Sequence, residues 1–299
     1  MTGLAQSAVV ERVAEPVIAS RPVSALLGRL VILTLTLAVA LLASTIAPTS
    51  GISSIAATMP DATITLVGIV AAIFAGAFVS GLAGFAFSAV AGAILLRLIT
   101  PTETVSLLLI CSIGAQLIAM ANLLKSIEWR EVLPLIIAGI LGIPIGGYVL
   151  QAVPTTMFVA GFGCFLVGYS AFMLVRPGRV IRCQSRIPMF VSCFIGGITG
   201  GAIAFPGAVP TIWCCIQDLP KIRQRALIQP FILMMQLATV AYFSGLGVMT
   251  SETLLVSLVC APAILVGSWL GLYLYQRCSD GQFRQLVLVI LLICGAILL

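Results

Sequence analysis

The sequence predicts an all-α polytopic membrane protein made of two inverted-topology repeats, each opening with a glycine-broken helical hairpin. Three observations carry this. The first is composition: 61% of the 299 residues are hydrophobic, 8% are charged, and mean hydropathy is +1.22. Soluble domains carry about 25% charged residues. The second is a duplication. Phe78–Val90 (FVSGLAGFAFSAV) is matched by Phe194–Pro206 (FIGGITGGAIAFP), and a shift of 116 positions lays Phe78 on Phe194, Gly81 on Gly197 and Gly84 on Gly200. The third is the placement of Lys and Arg, described below, which fixes how the broken tracts run.

Taken in order, residues 1–27 read as a cytoplasmic tail of mixed charge punctuated by Pro16 and Pro22. Residues 28–62 hold an extra span, Leu30–Ala47, flanked by Arg21 and Arg29, and an external linker without Lys or Arg. The first repeat, residues 63–176, begins with the broken tract Ile64–Ile99. Thr100-x-x-Glu103 then forms an N-cap box opening the span Thr104–Leu124. A charged cluster, Lys125 to Glu131, precedes the spans Leu133–Leu150 and Met157–Val175. Residues 177–186 are a basic cytoplasmic loop. The second repeat, residues 187–299, replays the order: the broken tract Ile187–Gln217, a basic loop at Lys221–Arg225, and spans Ala226–Ser244, Glu252–Tyr275 and Phe283–Leu299. Outside the glycines, Gln116 falls on Gln236, and LGIPIGGYVLQ (Leu141–Gln151) falls on VGSWLGLYLYQ (Val266–Gln276).

If each broken tract returns to the side it entered from, all of the 15 Lys and Arg except Arg97 lie on the cytoplasmic side. A single crossing per tract would put the four-arginine loop Arg176–Arg186 outside, against the positive-inside rule. Returning tracts give each repeat an odd number of passages. The halves are then inverted, and their glycine-rich tips approach each other near the midplane.

Lipid offers no hydrogen bonds, so broken backbone at that depth is buried in protein or lines a polar cavity. Paired glycine-interrupted segments in the two halves of a chain point to a transporter binding site. The alternative is close helix packing through small residues. At a tip, the unsatisfied N–H groups and positive dipole end of the outgoing half-helix favour an anion. The candidate site is therefore Ser80, Gly81, Gly84 and Ser88 in the first tract, and Gly197, Thr199, Gly200, Gly201 and Pro206 in the second. Gln116 and Gln236 join it from the following helices, with interhelical glue as the alternative role for both.

The composition also excludes. There is no histidine, which removes imidazole relays, ligands and catalytic bases. Glu103, Glu128, Glu131, Asp218, Glu252 and Asp280 fall at span ends, as capping or solvated groups. No basic patch is interleaved with aromatics, so nucleic acid is set aside as a partner. The nine cysteines read as small buried hydrophobes, with Cys214–Cys215 the one place for thiol chemistry. No metal site and no cofactor is expected.

The segment GLAGFAFSAVAGAILL, the helix Thr104–Leu124 ending in a short charged loop with Glu128-Trp129-Arg130, GIPIGGYVL followed by Val153-Pro154, and the duplicated GGITGGAIAFPG resemble the sulfite exporter TauE/SafE family over roughly Ile64–Leu299. In the first repeat Ala89-Val90-Ala91 stands where the family pattern has a proline, whereas Pro206 keeps the second closer to type. The resemblance implies a plasma-membrane permease for small anions: sulfite, sulfonates or related organic anions. The expected partners are that anion and the bilayer. A coupling ion (proton or sodium), a homodimer and the direction of transport stay open. A passive anion channel on the same repeat is the alternative. A membrane enzyme using Cys214 and Cys215, or a structural subunit, fits the residues less well.

Overall fold

A computed structural model describes residues 60–83, 86–120, 127–175, 185–217, 219–275, 288–289, 291–296 and 298–299. The tail 1–27, the span Leu30–Ala47, Gly84, Lys125, Asp218, Asp280 and most of the loop 176–186 lie outside the described residues, as do residues 276–282 and the start of the last span, 283–287.

Among the described residues the chain is all-helical. The helices are α1 (Pro60–Ala83), α2 (Phe87–Leu95), α3 (Pro101–Met120), α4 (Trp129–Ala152), α5 (Thr155–Val175), α6 (Ile187–Ile203), α7 (Ala208–Ile216), α8 (Lys221–Gly245), α9 (Ser251–Val259) and α10 (Ala261–Tyr275). Further helical residues follow at 288–289 and 291–296. Five helices are long and apolar enough to cross a membrane, or six with the bent pair α9–α10. Several, including α1, α5 and α10, are apolar all round rather than striped, as helices surrounded by lipid and protein are. Large side chains such as Ile137, Leu141, Tyr148, Val266 and Trp269 point outward, where lipid accepts them.

The N-cap box opening α3 forms as read. The Thr100 backbone N–H and hydroxyl both donate to Glu103 Oε2, at 3.1 and 2.7 Å, and the Glu103 N–H donates back to Thr100 Oγ1. The broken tracts become helix pairs, α1–α2 and α6–α7. The span read over Glu252–Tyr275 is divided at Cys260 into α9 and α10, which meet at 48°.

The packing is reciprocal between the halves. Helix α4 of the first half packs most extensively on α6 of the second, and α10 of the second packs on α1 of the first. Small residues make both contacts. A Cβ at Gly197 would strike the Gly139 carbonyl, and one at Gly142 would strike the Phe194 carbonyl. On the other side, a Cβ at Gly81 would come within 2.6 Å of the Ser268 carbonyl, and one at Gly271 would strike the Phe78 carbonyl. With Phe78 matched to Phe194 and Gly81 to Gly197, the contacts match Gly142 to Gly271 and Gly139 to Ser268. The sequence match, Gly142 to Gly267, is one helical turn away. The reason is spacing: glycines four apart in each helix (142 and 146, 267 and 271) let either register bring a glycine to the contact.

Two cores result. The larger draws on α1, α2, α3 and α5, and includes Ala204, Phe205 and Ala208 at the α6–α7 break. The smaller joins α4, α6 and α8.

Candidate functional site

The site grows from the two helix breaks. Helix α6 ends because Ala204 adopts left-handed backbone, φ 53°, conformation that costs a residue with a Cβ. Two residues on, Pro206 lacks the N–H to continue, and α7 restarts at Ala208. Thr199 braces this turn: its hydroxyl lies 3.1 Å from the Gly196 carbonyl and 3.0 Å from the Phe205 carbonyl. Phe205 fixes it from outside, edge-on to Phe165 and Tyr169 of α5.

The two breaks meet. Ser88, in the first turn of α2 and 2% exposed, donates from its hydroxyl to the Ala204 carbonyl at 2.5 Å. The separation between these residues is 116, the shift that relates the two tracts, so matching positions touch. Helices α2 and α7 both begin here, at N-caps Ala86 and Gly207, and neither has a side-chain cap. Their first N–H groups and positive dipole ends therefore face the junction unneutralised by a side chain.

The predicted residues divide into three groups. Ser88, Thr199 and Pro206 shape the junction itself. Gly81, Gly197 and Gly201 serve helix contacts: Gly81 faces α10, and Gly197 and Gly201 face α4. Gly200 faces Pro206 within its own hairpin, where a Cβ would be 3.1 Å away. The packing role considered for glycine is thus the one these positions display. Ser80 is buried in α1, and Gly84 lies outside the described residues.

The third group is Gln116 and Gln236, 4% and 3% exposed. Both amide oxygens are buried without a hydrogen-bond donor. Gln236 follows Met235, which lies against Gly139, the α4 residue that abuts Gly197. On the other side Gly114, two residues before Gln116, faces Ile264, one turn from the Ser268 that abuts Gly81. Sequence reasoning missed Ser268, also buried with an unpartnered hydroxyl. Its signal, a small residue at the contact position matching Gly139, becomes visible only once the register is known.

Electrostatically the region is neutral. No Asp, Glu, Lys or Arg is among the buried residues described. Charge gathers at the ends. Arg223 at the start of α8 pairs with Glu131 at the start of α4, 3.3 Å apart. Glu103 and Glu252 line a cavity of about 270 Å³ together with Thr65, Ile99, Thr250 and Thr253. The start of α1 and the α2–α3 junction thus reach one cavity. Among the described residues no cluster of His, Cys, Asp and Glu could hold a metal ion, and Cys214 and Cys215 are buried in α7 and form no disulfide.

Apolar helices on this scale, interrupted by two abutting breaks, define a multi-pass membrane protein of the transport class. More particularly, the chain belongs to the sulfite exporter TauE/SafE family, whose model matches residues 68–298. No curated protein and no solved structure matches it.

Proposed function

We propose that this chain is a secondary transporter of the plasma membrane that moves a small anion, such as sulfite, a sulfonate or a related organic anion, by alternating access around the junction of α1–α2 with α6–α7. The observation that carries the reading is the meeting of the two breaks through the Ser88–Ala204 hydrogen bond, with two uncapped helix N-termini beginning there. Nine residues in each of α2 and α7 span about 14 Å, half of a hydrocarbon core of about 30 Å. Such half-helices begin near the midplane and deliver positive dipole ends there. An anion held by backbone N–H groups needs no buried cation, in keeping with the neutral interior.

Inverted repeats supply two alternative arrangements of one site, and three features support them here. Packing between the halves is reciprocal. The start of α1 reaches the cavity that also holds Ile99, just past α2. The starts of α4 and α8 are joined by the Arg223–Glu131 pair. With the basic loops cytoplasmic, the N-terminus is cytoplasmic too.

Purified protein in proteoliposomes tests the reading through uptake and counterflow of radiolabelled sulfite, a sulfonate and a carboxylate. Saturable flux with counterflow of one anion class is expected. Linear, non-saturating flux would replace the carrier with a channel, and absence of flux for every anion would overturn the reading.

A further inference from the structure

Several of the deep hydroxyls described close on backbone carbonyls: Ser88 on Ala204, Thr199 on Gly196 and Phe205, Ser112 on Leu109, Thr239 on Met235. Others, Ser106, Ser170, Thr211 and Ser268 among them, make no such bond, but a hydroxyl can turn to donate or accept, whereas the amide oxygens of Gln116 and Gln236 can only accept. Both residues stand at matching places in α3 and α8, and both keep a buried oxygen with no donor. A buried acceptor left open is costly, and in a membrane interior no water relieves it. Leucine or methionine would carry no such penalty. Two open acceptors at matching places in the two halves imply that a ligand brings the donor.

Resting on the transporter reading above, we propose that the amide oxygens of Gln116 and Gln236 accept hydrogen bonds from the transported anion. The site then selects a small anion that carries an O–H or N–H group, hydrogensulfite or a hydroxy- or amino-substituted sulfonate, over one that carries none. The two ends of such an ion find different partners. Its charged oxygens meet the N–H groups at the starts of α2 and α7, and its donor meets the amides. No Asp, Glu, Lys or Arg is among the buried residues described, so the proton that qualifies sulfite as a donor stays on the substrate.

Two comparisons in proteoliposomes test this. One follows sulfite flux below and above the second ionisation of sulfite. The other sets 2-hydroxyethanesulfonate against propane-1-sulfonate, which differ by a hydroxyl in place of a methyl. Wild-type protein should favour the donor-bearing form by about tenfold or more, because a site built to bond an O–H rejects the analogue without it. Gln116→Met and Gln236→Met should each cut that preference, and together they should bring it near unity. Methionine matches the length of the amide, and the leucine variants serve if either methionine variant fails to purify as a monodisperse species. If the sulfonates are not moved, the sulfite comparison decides alone.

Equal flux of donor-bearing and donor-free anions would overturn the proposal while leaving the transporter intact, as would a preference unchanged in the double variant. Flux of both kinds that requires sodium in place of choline, with the requirement lost in the variants, would overturn it in favour of a cation on the amide oxygens. No flux of sulfite or either sulfonate would instead overturn the transporter reading itself.

Discussion

The Ser88 hydroxyl is the one side-chain hydrogen bond described that ties the first break to the second. Ser88→Ala leaves the Ala204 carbonyl buried without that donor, at a cost of about 1–3 kcal/mol. Thermal unfolding in detergent should show a lowered midpoint, and Ser88→Thr, which keeps a hydroxyl, should recover most of it. Glycines separate by surroundings. Gly197→Ala forces a Cβ onto the Gly139 carbonyl, and overpacking of this kind costs about 1–3 kcal/mol. Gly161→Ala meets nothing within 4 Å and should be neutral or stabilising by up to about 1 kcal/mol. If both changes leave the unfolding midpoint alone, the close packing described for α4 and α6 is wrong. At this scale the sequence identified which residues stand out but not what each one touches. Ser88 and Thr199 are polar residues in apolar tracts, visible as exceptions. That their hydroxyls are taken by carbonyls while the two glutamines stay open depends on where the backbone turns.

At the scale of helices, the Thr100–Glu103 box was legible because both partners lie within four residues of each other. Thr100→Ala should cost about 1 kcal/mol, read as a lowered midpoint that Thr100→Ser restores. The Arg223–Glu131 pair is different: its partners lie far apart in the chain, and Arg223 is more than half exposed. Exposed pairs contribute between about 0 and 1 kcal/mol, so Glu131→Gln should barely move the midpoint. A large drop would mean that the pair is shielded in the membrane-embedded protein. The break at Cys260 was not legible. Around Cys260 the run Leu258–Val266 is uninterrupted by charged or hydroxyl residues, and the one proline near the bend, Pro262, lies in the first turn of α10, where proline is tolerated. Broken tracts announce themselves through clustered glycine and proline, whereas a bend between two ordinary apolar helices leaves no compositional trace.

Across the whole molecule, the proposed topology makes a sidedness prediction. In a cysteine-free background, single cysteines at Arg130 and Ser185 should react with a membrane-impermeant maleimide only from the cytoplasmic face, and one at Ser251 only from the opposite face. Labelling of Arg130 and Ser251 from the same face would sink the inverted arrangement. The duplication could be seen in the sequence because loops absorbed the differences between copies and the helices kept their glycines. The one-turn slip between matched residues could not, since glycines at four-residue intervals satisfy two registers equally well and only contact between helices chooses.

The reciprocal packing also sets an order of events during synthesis. The face of α1 that carries Gly81 is covered by α10, with Ser268 at the contact, so one of the first helices of the described chain waits for one of the last. At translation speeds of about 5–20 residues per second, that interval is roughly 10–40 s. During it, a glycine-lined groove stands open to lipid and to other nascent chains. A chain halted after α8 would keep α4 on α6 yet leave α1 without its partner. The ribosome can thus finish the second interface long before the first, and quality control of unfinished chains has a defined surface to find.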